Sequence, residues 1–62
     1  MEIGRKIRDI RISKNITQKK LAELAGISNT YLSDIERMRT SPSKTLGSIA
    51  NSLDKNIKEF LD

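Results

Sequence analysis

Residues 17–36, TQKKLAELAGISNTYLSDIE from Thr17 to Glu36, decide the fold of this chain. Leu21, Ala22 and Ala25 recur at helical spacing and form one apolar stripe. Gly26 interrupts that helix where a left-handed residue is wanted, since glycine takes positive φ without a steric penalty. Ile27 is apolar at the turn, and the Ser28 hydroxyl can cap a second helix. Leu32 and Ile35 then give that helix its inward face, leaving Ser28, Asn29, Thr30 and Ser33 outward. The pattern predicts two short helices joined by a tight turn, with small residues where the axes cross. An outer face that is polar, uncharged and able to hydrogen-bond suits the reading of base edges.

Working outward, Ile3, Ile7 and Ile10 predict a first helix over about Glu2 to Ser13. Asn15 tolerates a left-handed cap, and Ile16 re-enters the core. Thr17 caps the second helix, and the third covers about Asn29 to Arg37. Met38 to Ser43 is polar and basic around Pro42 and reads as a loop. A fourth helix runs from about Lys44 to Leu53, with Leu46, Ile49, Ala50 and Leu53 on one face. Gly47 within it costs about 1 kcal/mol relative to Ala unless close packing needs the missing side chain. Asn56 and Glu59 form a capping box for a last short helix carrying Ile57, Phe60 and Leu61. Nothing reads as a strand. The expectation is an all-α bundle of five short helices, residues 1–62 forming a single domain.

At 62 residues, a chain buries only about 60% of its unfolded surface, so its core must be simple. Tyr31 and Phe60 are the only aromatics, and there is neither Cys nor His. Disulfides, thiolate metal sites, His triads and imidazole acid–base chemistry are therefore excluded. No convergent nucleophile, base and orienting group can be drawn, so the chain does not read as an enzyme, and no cofactor or small-molecule ligand is indicated. No apolar run reaches the length of a membrane span, which predicts a cytoplasmic location without membrane association. Residues 5–44 hold ten of the twelve bases and four of the eight acids, an excess of six positive charges. That asymmetry fits either a polyanionic partner or a plain solvated surface.

The ordered set Gln18, Leu21, Ala22, Ala25, Gly26, Ile27, Leu32, Ile35 and Glu36 resembles the phage-repressor or Cro-type (Xre-like) helix-turn-helix family, to which the lambda repressor belongs. IGRKI at the start, Arg11 and the closing IKEFL support the resemblance, which spans about Ile3 to Leu61. It implies a lambda-repressor-like DNA-binding domain with helices 2 and 3 as the motif. It also implies that Gln18 touches the DNA backbone and that the start of helix 3 contacts bases. Arg37, Arg39, Thr40 and Lys44 would grip phosphates, and Arg11 would pair with Glu36. The chain departs from the family at Met38, where Gly is common, and at Asp54 and Lys55, where Gly followed by an apolar residue is common.

Asn29 offers a donor and an acceptor to an adenine edge, and Thr30 a hydroxyl and a methyl that can meet thymine. Ser28 reads a base or caps the helix, and Ser33 one turn on is a further candidate. Tyr31 either contacts a phosphate through its hydroxyl or acts as a half-buried spacer. Lys19, Lys20, Arg39 and Lys44 supply charge rather than specificity. Arg5, Lys6 and Arg8 read as solvated surface. The function expected is sequence-specific binding of double-stranded DNA by a transcriptional regulator of the repressor type. A homodimer would insert helix 3 into successive major-groove faces of a pseudo-palindrome. The competing expectation is an antitoxin-like or adaptor module that binds a protein.

Overall fold

The computed structural model describes residues 3–61. Four α-helices run in chain order, α1 (Ile3–Ser13), α2 (Gln18–Ala25), α3 (Asn29–Glu36) and α4 (Leu46–Ser52). A single 3₁₀ turn, Ile57–Phe60, comes after them. No described residue lies in a strand. Glu2, expected in the first helix, falls outside the described residues.

The expected count of five helices is corrected to four plus this turn. Its capping box does form: the Asn56 side chain accepts from Lys58 N at 2.9 Å, and Glu59 Oε2 accepts from Asn56 N at 3.0 Å. The segment behind the cap closes with i→i+3 bonds and not with the i→i+4 pattern of an α-helix. Glu59 N donates instead to Asn56 O at 2.9 Å and Leu61 N to Lys58 O at 3.2 Å, tightening the chain. The fourth helix also begins later than Lys44. The Pro42 carbonyl accepts from Thr45 N at 3.2 Å and Leu46 N at 2.8 Å, so Ser43–Thr45 form a turn ahead of it.

Both starts within the central motif are capped as their residues dictate. Thr17 accepts from Lys20 N, and Ser28 from Tyr31 N, each at 3.0 Å from an extended backbone.

All four α-helices end in one way. The left-handed residues are Asn15, Gly26, Met38 and Asp54, with φ of 58°, 72°, 61° and 59°. After each, the next amide reaches back to the carbonyl five residues earlier: Ile16 to Arg11, Ile27 to Ala22, Arg39 to Asp34 and Lys55 to Ala50. These are Schellman closures, which satisfy helix-end carbonyls that would otherwise lack donors. Only one of the four has the glycine that makes such a closure inexpensive. Asn and Asp tolerate the left-handed region, whereas an ordinary side chain costs about 1–2 kcal/mol there.

Glycine is thus wanted at position 38 and unneeded at 47, where an added Cβ meets nothing within 4 Å. Met38→Gly and Gly47→Ala should each stabilise the fold by about 0.5–1 kcal/mol. Thermal melts check this, and a loss of stability in either variant contradicts the corresponding backbone argument.

The core is aliphatic apart from Phe60. Ile7, Leu21, Ala22, Leu32, Ile35, Leu46, Ile49, Ala50 and Leu53 are buried with it, so every helix contributes. Ile3, Ile10, Ile16, Ala25, Ile27 and Tyr31 pack around that centre. α2 lies against α3 and α4, while α1 packs on α3 and the 3₁₀ turn. The result is a scaffold that fixes the first turn of α3 from behind and leaves its outer side open.

Candidate nucleic-acid interface

Asn29 and Thr30 form the exposed first turn of α3, with the Ser28 cap behind them. The Ser28 hydroxyl is engaged with Tyr31 N, so its observed role is to fix the helix start. Ser33, one turn on, is half-buried. Leu32 and Ile35 are 0% and 1% exposed on the opposite side, which prevents the helix from rolling. Tyr31 is also half-buried and packs against the core. Its phenolic oxygen accepts from Thr45 Oγ1 at 3.5 Å, tying α3 to the start of α4, and its O–H remains able to donate.

Lys19, Arg37, Arg39, Thr40 and Lys44 are all exposed. Arg39 lies 3.9 Å from Asp34, with side-chain exposures of 66% and 40%, a contact too solvated to hold the guanidinium in place. Lys20 is exposed on the first turn of α2 as well. Exposed bases thus stand before the polar turn in the chain, at the start of α2, and after it, in the segment that follows α3.

Arg11 and Glu36 meet where α1 passes the end of α3. Arg11 Nε donates to Glu36 Oε2 at 2.8 Å and Nη2 to Oε1 at 3.1 Å, a bidentate pair. Their side chains are only 11% and 3% exposed. The third Arg11 contact, Nη1 to the Ile16 carbonyl at 2.9 Å, holds the α1–α2 connection. Glu36 is the buried charge among the described residues, and no buried side-chain nitrogen or oxygen there lacks a partner.

Sequence reasoning missed one part of this arrangement. Gln18 Nε2 donates to Glu36 Oε1 at 3.3 Å, so the residue expected to face DNA is also anchored from within. Its position at the start of α2 was a visible signal, but its partner lies eighteen residues away. Among the described residues no helix is long and apolar enough to cross a membrane, and no three His, Cys, Asp or Glu residues are grouped to hold a metal ion.

The model of the Helix-turn-helix family matches residues 7–60. The chain belongs to the helix-turn-helix family. The immunity repressor protein of Bacillus phage phi105 is 46% identical over 54 residues, covering 86% of this chain and 38% of the repressor. The transcriptional regulator SinR of Bacillus subtilis is 39% identical over 62 residues, covering 97% of this chain and 56% of SinR. The chain thus spans only about two fifths to just over half the length of these two relatives. A crystal structure of SinR, the master regulator for biofilm formation, in complex with DNA superimposes with a TM-score of 0.90 at 37% identity, covering 97% of this chain and 98% of that one.

Proposed function

We propose that this chain binds double-stranded DNA sequence-specifically as the recognition domain of a transcriptional regulator of the repressor type. The observation that carries the reading is the exposed, uncharged first turn of α3, with exposed bases before and after it in the chain. Asn29 and Thr30 read base edges in the major groove, and Ser33 reaches them from the next turn. Ser28 sets the angle at which α3 enters. Gln18, Lys19, Tyr31, Arg37, Arg39, Thr40 and Lys44 engage phosphates and fix the register. Membership of a family that includes a regulator solved with DNA supports the same reading. A single copy of α3 reads few base pairs, so the chain acts as a homodimer, its two helices about 34 Å apart on a pseudo-palindrome.

Selection of bound sequences from a random duplex pool tests this directly and should return a two-fold symmetric site. Asn29→Ala and Thr30→Ala should each lose about 1–3 kcal/mol of discrimination between the selected site and random DNA. Lys44→Ala should weaken both equally and reduce the salt slope by about 0.9. Failure to bind any duplex overturns the proposal. Equal losses on selected and random DNA in all three variants overturn the division of roles.

A further inference from the structure

Most serine and threonine hydroxyls of the described residues are already committed. Ser13 and Ser52 donate to helical carbonyls at 2.7 and 2.8 Å, and Thr45 donates to Tyr31 at 3.5 Å. Thr17 and Ser28 hold caps, while Thr30, Ser33 and Ser48 stand within helices. Three are left over. Thr40, Ser41 and Ser43 are exposed, lie outside every helix, and make no side-chain hydrogen bond among the described residues.

Of the three, only Ser41 precedes a proline. Steric clash with the Pro42 ring disfavours helical backbone at Ser41 and holds it extended. Pro42 itself is buried, which anchors the segment from behind. Ser41 also borders two open clefts of about 310 Å³ each, so space lies on either side of it. An exposed, extended and uncommitted hydroxyl suits phosphoryl transfer, because the acceptor oxygen must approach phosphorus in line with the leaving group. The surroundings supply the consequence. Residues 37–45, RMRTSPSKT, carry Arg37, Arg39 and Lys44 without one acid. A phosphate at position 41 adds about −1.5 to −2 charge and three acceptor oxygens in their midst. Arg39 is at liberty to turn to it, since its 3.9 Å contact with Asp34 is solvated.

We propose that Ser41 is a phosphorylation site through which a serine/threonine protein kinase releases the chain from DNA. The proposal rests on the DNA-binding reading and adds regulation to it. In the transfer, Ser41 Oγ bonds the γ-phosphorus of a nucleoside triphosphate as the bridging P–O bond to the β-phosphate breaks. The nucleoside diphosphate leaves with that electron pair, and the hydroxyl proton passes to the base of the kinase. The product keeps the fold, because the free hydroxyl held no bond within it. The charge of residues 37–45 falls from +3 to about +1, and the new phosphate repels the DNA phosphates that Arg37, Arg39, Thr40 and Lys44 would engage.

Incubation with the catalytic domain of a serine/threonine protein kinase and labelled ATP tests the site. Mass spectrometry should place the phosphate on Ser41, Ser41→Ala should abolish it, and excess selected duplex should slow the labelling. Label on another hydroxyl, or none, overturns the assignment. Chains synthesised with phosphoserine at position 41, or at exposed Ser48 of α4 as a charge-matched control, test the consequence. Phosphoserine at position 41 should weaken selected and random duplex alike by about ten- to hundredfold at ~0.1 M salt. It should also lower the salt slope by about 1.8, the equivalent of two lost phosphate contacts. The control should bind close to the parent, and Ser41→Ala and both synthesised chains should melt with it. If phosphoserine at position 41 binds no more weakly than at position 48 while the parent binds with a steep salt dependence, the switch falls and the DNA reading stands. If the phosphorylated chain loses binding only by unfolding, the charge mechanism is overturned. A parent that binds no duplex brings down both.

Discussion

Arg11→Met is expected to destabilise the protein by about 3–5 kcal/mol, the usual result of removing one partner from a buried ion pair. Glu36, 3% exposed at its side chain, would keep only the Gln18 amide at 3.3 Å. The Ile16 carbonyl would also lose its 2.9 Å donor, freeing the connection into α2. A domain of this length has roughly 3–9 kcal/mol of total stability, at the usual 0.05–0.15 per residue. The variant should therefore be largely unfolded near body temperature and visibly frayed at 25 °C by circular dichroism. Glu36→Leu should cost a similar amount, because it strands the Arg11 guanidinium against the same wall. The double variant Arg11→Met, Glu36→Leu should be more stable than either single one, since an apolar pair needs no compensating charge. Both single variants melting like the parent would show that the pair is no better than a solvated contact. Added salt should change the parent's stability little, because a buried pair is weakly screened.

Gly4→Ala is the second large effect, and its sign opposes helix propensity. In an exposed helix the exchange gains about 1 kcal/mol. Gly4 is buried in α1, however, and a Cβ there would overlap the carbonyl oxygen of Ile35. The obstacle is backbone, so no side-chain rotation relieves it. Met38 Cγ, 3.3 Å from that position, closes one of the remaining directions. α1 would have to lift from the end of α3, loosening the Ile7 and Ile35 contacts and straining the Arg11–Glu36 geometry. Such overpacking costs about 1–3 kcal/mol and more where the backbone must move. Urea unfolding at 25 °C measures it; a variant as stable as the parent or more so would show that the crossing opens without penalty.

These two sites also show which parts of the molecule are readable in one dimension. The caps at Thr17 and Ser28 and the closure at Gly26 involve atoms within five residues of one another, so residue type and spacing suffice to predict them. The apolar stripe of α2 and the inward pair Leu32 and Ile35 arise from helical periodicity in the same way. Helix ends at Met38 and Asp54 were harder to see, because neither position carries the glycine that announces a left-handed closure. The final segment has a helix-like cap yet closes as a 3₁₀ turn, a difference that the capping residues do not announce.

The candidate site divides along the same line. The polar outer turn at Asn29 and Thr30 is legible from the sequence, as is the basic character around it. The Gln18 amide on Glu36 depends on how three helices pack, so no local pattern reveals it. Gly4 is similar: its need for a missing side chain comes from Ile35, thirty-one residues later.

By itself the sequence of residues 17–36 determined a helix-turn-helix with a polar, uncharged outer turn, since short-range hydrogen bonds and periodic burial set each part. Only the tertiary structure decided how α1 crosses the end of α3. That crossing requires a glycine at position 4 and buries Arg11 with Glu36. Its physical basis is contact between residues far apart in the chain, whose geometry exists only once the core has closed.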